Sequence, residues 1–299
     1  MLAMRGGWLG VVLLMTGWAG AGPAHMAASA EGKPATGLIQ DFPIDAKLFK
    51  TPREYFAKNV PGKIYRAYKA RKNIFCAKGT PEEDLSHDGQ QGALVYVPAS
   101  YDGSKPFGLY LHYSPGARGI APSREWQALL DKFELIYVSA HQTANSTPDL
   151  HRIGLGVDSV ASVKQHYKIA DERVFVGGLS GGGHMGMFTQ MMFPEVFHGA
   201  VSHAAQSYLP TATTGGHFPG LQLGDIKSPP RNLRKWVVIS GDKDKNYEEI
   251  KKTSKDWQHA HLLYKFIDVP GMAHANASAA ALEEALTWIG AQPAGMAGK

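Results

Sequence analysis

The sequence predicts a domain of the α/β class, with a mostly parallel central sheet and helices on both faces. Short and almost continuously apolar segments, such as 135–139 and 236–240, are typical of parallel strands buried on both faces. Longer segments with a helical spacing of apolar residues lie between them, as at 151–167. The 299 residues are enough for one large domain of this kind. The alternation of the two patterns predicts strands joined by crossover helices.

The elements follow in chain order. Residues 31–89 combine an irregular lead-in, rich in proline, glycine and polar residues, with a first strand within 63–77. The core occupies 90–290 and a short tail occupies 291–299. Within the core, strands are predicted at 92–98, 108–113, 135–139, 173–177, 199–202, 236–240 and 264–269, and helices at 123–133, 151–167, 183–193, 247–260 and 276–289. Ser123 suits the N-cap of the first of these helices, and Gly290 suits the position after the last one.

The first 30 residues have the pattern of a signal peptide. Arg5 supplies a positive charge, 8–18 is a short apolar core, and small residues follow at two candidate cleavage sites, 19–21 and 28–30. The apolar run is too short to span a bilayer as a mature helix. We therefore expect an exported protein, periplasmic or secreted, without stable membrane insertion after cleavage. An uncleaved signal anchor is the alternative.

Charge and cysteine content exclude several classes of protein. The formal net charge of +5 comes from scattered residues, which does not indicate a nucleic-acid partner. Cys76 is the only cysteine, so an intrachain disulfide is impossible. No cluster of cysteine and histidine has metal-ligand spacing. The sequence accordingly predicts neither a cofactor nor a metal.

The segment Gly178-Leu179-Ser180-Gly181-Gly182 carries the strongest functional signal. It has the form G-x-S-x-G, it follows a strand, and it precedes a helix, which is the context of a nucleophile elbow. Small residues on both sides allow the sharp turn that exposes the Ser180 hydroxyl. The amide of Gly181 is then placed to bind a developing oxyanion. A glycine-rich turn with an incidental serine is the structural alternative.

A serine nucleophile needs a base, and the base needs an orienting acid. Asp244 follows the strand 236–240, with Asp242 as its competitor, and His274 follows the last strand. The chain order Ser, Asp, His is the order found with this kind of elbow. An ordinary histidine has a pKa near 6.5, so His274 can accept and return a proton near neutrality. We expect Ser180, Asp244 and His274 to act together.

The remaining site residues are predicted from their positions at strand ends. The second oxyanion donor is expected in the loop after strand 108–113, where Pro115 has no N–H and the backbone amides of Tyr113 and Ser114 remain, with Ser114 preferred. The segment 206–233 is expected to form an excursion over the site, or else a structural crossover. Substrate contacts are predicted for Tyr113, His141, His184 and Tyr208, although a structural role is the alternative for the histidines.

Four segments together resemble the α/β-hydrolase fold, and in particular the secreted esterases related to polyhydroxyalkanoate depolymerases and feruloyl esterases. They are the YVPASYDGSKP segment at 96–106, the elbow at 173–185, the FPEVF segment at 193–197, and the acid and base at 241–244 and 274. The resemblance covers about residues 90–290. It implies a serine hydrolase that acts on small or oligomeric carboxylic esters through an acyl-enzyme.

The sequence departs from this family's pattern at one position that bears on substrate choice. The family has His-Gly after the oxyanion strand, whereas this chain has His112-Tyr113. The larger residue predicts a narrower acyl pocket. Two alternatives stay open at this point: a serine peptidase of the prolyl-oligopeptidase type, and a non-catalytic binding protein with the same fold.

Overall fold

The computed structural model describes residues 34–45, 92–147, 149–206, 208–210, 223–224 and 235–293. The predicted signal peptide, the predicted strand within 63–77, the C-terminal tail beyond 293 and most of the predicted excursion 206–233 lie outside the described residues. Among those that are described, no helix is long and apolar enough to cross a membrane.

The described chain forms an eight-stranded sheet with helices between its strands. The strands are β1 (Gly37–Pro43), β2 (Gly92–Val97), β3 (Phe107–Tyr113), β4 (Leu135–Ala140), β5 (Ile169–Leu179), β6 (Ala200–His203), β7 (Trp236–Ser240) and β8 (Tyr264–Asp268). The helices are α1 (Arg124–Phe133), α2 (Asp149–His166), α3 (Gly181–Met192), α4 (Tyr247–His259) and α5 (Ala279–Ile289). The predicted α/β class, with helices on both faces of the sheet, is confirmed.

The sheet has the order β1-β2-β4-β3-β5-β6-β7-β8 and is parallel except around β2. β2 is antiparallel to both of its neighbours, β1 and β4, and every other pair is parallel. The strand order reverses between β3 and β5, and in open α/β sheets the crevice at such a switch point is where ligands bind. The serine follows β5 at this crevice.

Alternation along the strands divides the core into two layers. In β3, Leu109, Leu111 and Tyr113 face the layer that α2, α3 and α4 cover, whereas Tyr110 faces the layer that α1 and α5 cover. Successive side chains of a strand point to opposite faces, and both faces are buried here, so the strands are apolar at nearly every position. This arrangement accounts for the continuous apolar runs of the sequence.

The helix ends agree with the sequence at two points and differ at a third. Ser123 caps α1, since its hydroxyl accepts a hydrogen bond from the amide of Trp126 at 3.2 Å. Gly290 ends α5 with φ +86°, a conformation that favours glycine. However, α5 begins at Ala279 and its cap is Ser278, so the predicted start at residue 276 is wrong. The residues before Ser278 form a loop that reaches the site.

The lead-in prediction is also wrong in part. Residues 37–43 form β1, an edge strand that pairs with β2 and contains a register shift between Ile39 and Phe42. Its side chains are mostly exposed or half-buried, and only Phe42 is fully buried. A strand with one buried side chain has too weak an apolar alternation to be recognised by pattern.

Candidate active site

Ser180 occupies a strained turn between β5 and α3. Its φ of 55° and ψ of −125° are sparsely populated by residues other than glycine, at a cost of about 1–3 kcal/mol. Two hydrogen bonds hold it there: its N–H donates to the carbonyl of His203 at 2.8 Å, and its carbonyl accepts from the N–H of His184 at 3.1 Å. This conformation provides the sharp strand-to-helix turn that the predicted nucleophile elbow requires.

The elbow requires glycine on both sides of the serine. A Cβ at Gly178 would come within 2.5 Å of the carbonyl carbon of Gly182 and 2.6 Å of the carbonyl oxygen of Tyr113. A Cβ at Gly182 would collide with the same Tyr113 carbonyl. The strand end, the turn and the first turn of α3 therefore pack backbone against backbone. Gly181 opens α3, where the first N–H groups of a helix have no partner within the helix.

The predicted base and acid form a hydrogen-bonded pair. Nδ1 of His274 lies 2.8 Å from Oδ1 of Asp244, whose side chain is fully buried, whereas the His274 side chain is 25% exposed. The carboxylate also accepts from the Ser240 hydroxyl at 2.8 Å and from the Asn246 amide at 3.0 Å. A carboxylate accepts hydrogen bonds, so Nδ1 carries the proton in the neutral ring, and Nε2 is left to accept one.

Asp242, the competing acid, has a different place in the structure. It is exposed, and its carboxylate accepts from the Gly271 amide at 2.5 Å. The amide of Lys243 donates to the Met272 carbonyl at 3.2 Å, so the loops after β7 and β8 are joined along their length. Asp242 thus links the two loops, while Asp244 alone contacts His274.

The loop that follows His274 lies across the ends of β3 and β6. Nε2 of His112 lies 3.1 Å from Oδ1 of Asn276, and Nδ1 of His203 accepts from the Ala277 amide at 3.3 Å. The indole N–H of Trp126 donates to the Ala277 carbonyl at 3.0 Å. These contacts hold the loop that carries His274 at the carboxyl ends of the strands, where the Ser180 turn also lies.

The predicted oxyanion residues lie on either side of the elbow. The Tyr113 carbonyl packs against Gly178 and Gly182, so the peptide that joins it to Ser114 lies next to the first turn of α3. The Ser114 hydroxyl accepts from the Gly116 amide at 3.0 Å, which fixes the start of this loop. The amides of Ser114 and Gly181 therefore lie on two neighbouring elements at the same crevice.

Tyr113 does not have the place that the sequence predicted, and the expected substrate contact is corrected here. Its side chain is only 1% exposed, it accepts a hydrogen bond from the Thr189 hydroxyl at 3.2 Å, and burial raises its pKa far above the ordinary value. Its parity along β3 is that of Leu109 and Leu111, which face the core under α2 and α3. That parity was visible in the sequence.

Asn145 is a site residue that sequence reasoning missed. Its carboxamide lies directly against Gly181, so that a Cβ at Gly181 would collide with its oxygen. The backbone N–H of Asn145 donates to the Pro115 carbonyl at 3.0 Å, which places the loop after β4 beside the loop after β3. The Asn145 side chain is exposed to solvent. No local pattern marks this asparagine, because the contact joins two loops that lie far apart in the chain.

The three other predicted contact residues differ in position. His141 bonds to backbone through both ring nitrogens, to the Gly119 amide at 3.0 Å and to the Gln40 carbonyl at 3.1 Å, which favours its structural alternative. His184 is buried in the first turn of α3. Tyr208 is half-buried, and burial and the charge of Glu249 raise its pKa. Substrate contact by His184 or Tyr208 stays a prediction.

No group of three histidine, cysteine, aspartate or glutamate side chains within the described part of the chain could hold a metal ion. The Ser180 turn, the His274 imidazole with its buried Asp244 partner, and the backbone amides at the start of α3 all follow the carboxyl ends of parallel strands in one sheet. These are the kinds of group that acyl transfer by a serine requires.

Similarity to solved structures shows that this chain has the α/β-hydrolase fold. The chain is similar to an S-formylglutathione hydrolase from Staphylococcus aureus, with 17% identity and a TM-score of 0.53 over 67% of this chain and 91% of that one. It is also similar to a ferulic acid esterase, with 13% identity and a TM-score of 0.51 over 72% and 93% of the two chains. No family model and no curated protein matches the chain.

A third similar structure is a thermophilic esterase from the Planctomycetes species Thermogutta terrifontis with butyrate bound. It has 12% identity and a TM-score of 0.50 over 70% of this chain and 94% of that chain. At identities this low the likeness establishes the fold. Function depends on the residues of the site and does not follow from the fold.

Proposed function

We propose that this protein is an exported serine hydrolase that cleaves carboxylic esters through an acyl-enzyme. One observation carries the proposal: the buried Asp244 carboxylate is hydrogen-bonded to His274 at the sheet edge where Ser180 is held on a strained turn. A hydroxyl is a weak nucleophile at neutral pH and needs such a base. A pair of this kind next to an elbow supplies both the base and its orientation.

The reaction follows from the protonation states. Nε2 of His274 takes the proton of the Ser180 hydroxyl while the oxygen attacks the acyl carbon. Asp244 stabilises the imidazolium that forms. The imidazolium then gives its proton to the leaving alkoxide, and the C–O bond of the ester breaks to leave Ser180 acylated. Water, deprotonated by the same imidazole, releases the acid and restores the Ser180 hydroxyl.

The tetrahedral intermediate carries a negative oxygen that needs donors. The amide of Gly181, at the start of α3, and the amide of Ser114, after β3, are the two proposed donors. The start of a helix also favours negative charge through its dipole. The carboxamide of Asn145, in contact with Gly181, adds a third polar group beside this position. Preformed donors of this kind contribute a large part of acyl-transfer catalysis.

The substrate class proposed is a soluble or oligomeric ester with a small or aromatic acyl group. One structure of the same fold is named as a ferulic acid esterase, and another contains butyrate, so both acyl types belong in the first test. Tyr208 and His184 are the proposed contacts with the substrate. A comparison of kcat/KM across a series of acyl chain lengths, and for feruloyl and hydroxyalkanoate esters, would define the substrate preference.

A fluorophosphonate probe tests the proposal directly. We expect the wild type to be labelled and to hydrolyse p-nitrophenyl esters, and Ser180→Ala to lose the label and about 10⁶-fold in kcat. Ser146→Ala serves as a matched control, because it removes an exposed serine hydroxyl from a neighbouring loop, so its label should persist. Equal labelling of wild type and Ser180→Ala would refute the nucleophile, and cleavage of peptides but not esters would favour the peptidase.

Export is the part of the proposal that rests on residues 1–30 alone. Expression of the full chain in a bacterial host, followed by fractionation and N-terminal sequencing, should give a mature protein that begins near residue 31 in the periplasm or medium. A full-length product that stays with the membrane would favour the uncleaved anchor.

A further inference from the structure

His203 makes contact with both halves of the proposed machinery. It is completely buried at the end of β6, where it is paired in register with Leu179 on one side and Ile239 on the other. Its carbonyl accepts from the Ser180 amide at 2.8 Å. Its ring nitrogen Nδ1 accepts from the Ala277 amide at 3.3 Å. A single residue thus bonds to the nucleophile and to the loop that carries His274.

The tautomer of His203 follows from these contacts. Nδ1 accepts from a backbone amide, so the ring proton is on Nε2, which lies 3.3 Å from the Tyr110 hydroxyl and donates to it. Burial, and then the neighbouring His112, lower the pKa of His203 well below its ordinary value. The ring is therefore neutral across the physiological range, and only a neutral ring can accept from Ala277.

The same strand end also reaches the acid. Ala204, at φ 52°, donates its amide to the Ile239 carbonyl at 2.9 Å, one residue before the Ser240 whose hydroxyl holds the Asp244 carboxylate. Backbone strain of this kind persists only where surrounding contacts impose it. The end of β6 is therefore a junction between the strands that carry the nucleophile and the acid and the loop that carries the base.

Resting on the function proposed above, we propose that His203 is a positioning residue that sets the placement of His274 relative to Ser180. It acts through Ala277, which is three residues beyond His274 and is held at its carbonyl by Trp126. Ala277 is 4% exposed, so its amide would lose its partner without meeting water if the ring stopped accepting. The loop would then shift, and a misplacement of about 1 Å can cost about 100-fold in rate.

Two substitutions of similar size separate positioning from packing. In His203→Asn the carboxamide oxygen comes close to the place of Nδ1 and can still accept from Ala277, whereas in His203→Gln the polar end extends to the place of Nε2. We expect His203→Gln to lower kcat about 100-fold with KM within twofold of wild type. His203→Asn should retain kcat within about tenfold of wild type. His198→Gln, the same exchange just before the opposite end of β6, should leave kcat unchanged.

The result that overturns the proposal is equal kcat for His203→Asn and His203→Gln, whether both are lowered or both are at the wild-type value. If neither variant folds, Trp126→Phe tests the same loop, because it keeps the ring and removes the N–H that holds the Ala277 carbonyl. It should lower kcat by about five- to tenfold at unchanged KM. Wild-type kcat in Trp126→Phe would then overturn the proposal.

Failure of this inference differs from failure of the proposed function. If Ser180 is not the nucleophile, the wild type itself is not labelled by the fluorophosphonate at Ser180 and shows no ester hydrolysis. If only the role of His203 is wrong, the wild type is labelled and active, and the Asn and Gln variants at 203 are alike.

Discussion

Two histidine sites lie at the same edge of the sheet and differ in almost every property that decides chemistry. His274 is 25% exposed, and its ring bonds to the buried carboxylate of Asp244. His112 and His203 are completely buried, with ring centroids 5.9 Å apart. Burial lowers the pKa of His112 to about 4, and it lowers that of His203 well below the ordinary value. Of these three histidines, His274 therefore has the exposure and the acidic partner that a proposed base needs, although all three lie close to the same strand ends.

The buried pair is held by neutral groups. The hydroxyl of Tyr110 contacts His203, the amide of Asn276 contacts His112, and the indole ring of Trp126 packs against both histidines. Such a site keeps an imidazole neutral and gives it a fixed orientation, which suits a structural hydrogen bond. The His274–Asp244 pair instead places a partly exposed imidazole against a carboxylate, which suits the base of the proposed reaction.

Removing one histidine from each site should have very different effects on activity. His274→Ala should lower kcat/KM for a p-nitrophenyl ester by about 10⁵- to 10⁶-fold, because no base remains. His112→Gln should lower it by no more than about tenfold, because the amide can still contact Asn276. Steady-state kinetics on both variants make the measurement. Losses of similar size would mean that the buried histidine takes part in the chemistry.

The aspartate that contacts His274 allows a matched test. Asp244→Asn keeps the shape but favours the wrong tautomer of His274, so kcat should fall by about 10⁴-fold. Asp242→Asn makes the same exchange two residues earlier, at an exposed side chain whose carboxylate accepts from the backbone amide of Gly271, and kcat should stay close to wild type. The order of the two effects decides which aspartate orients the base, and a larger loss at residue 242 would contradict the pairing seen here.

The pairing of Asp244 with His274 was predictable from sequence, whereas the contacts of the buried His112 and His203 were not. Ser180, Asp244 and His274 stand in local patterns, each at the end of a recognisable strand and in a known chain order. His112 and Asn276 are 164 residues apart, and His203 and Ala277 are 74 apart, so no window of sequence contains both partners. Long-range contacts of this kind depend on sheet order, which pattern reading does not supply.

Tyr113 shows a different kind of error. The sequence predicts the strand itself, but the expected substrate contact comes from the resemblance, because Tyr113 stands where the family has glycine. Alternation within β3 places it with Leu111 in the core, and Gly156 of α2 and Thr189 of α3 leave room for its hydroxyl. The parity of a residue within its strand is a better guide to its direction than its distance from a motif.

The low pKa of the buried histidines makes the free energy of unfolding depend on pH. In the unfolded chain His112 takes up a proton near pH 6.5, whereas in the folded protein it does so only near pH 4. The unfolded state therefore binds more protons between these values, and stability is full above pH 6.5 and falls as the pH drops to 4. His112 accounts for about 3 kcal/mol of this loss, and His203 adds a loss of the same sign.

Urea denaturation at several pH values between 4 and 7 measures this slope. In His112→Gln the group that titrates is gone, so the difference in unfolding free energy between pH 4.5 and 7 should be smaller than in wild type by about 2–3 kcal/mol. The absolute stability of the variant is not the readout. Parallel curves for wild type and variant would mean that His112 is not held neutral by its surroundings.

The smallest expected effect concerns the two sides of the elbow. The Ser180 amide bonds to the carbonyl of the buried His203, whereas the exposed Asn145 carboxamide lies against Gly181. A neutral hydrogen bond from the Asn145 carboxamide to the proposed oxyanion would contribute about 1 kcal/mol, so Asn145→Ala should lower kcat about tenfold or less. Asn145→Asp should lower it further, because a carboxylate opposes the developing oxyanion. Ser146→Ala, an exposed neighbour, is the control. Wild-type kcat in both Asn145 variants would mean that the Asn145 side chain does not contact the oxyanion.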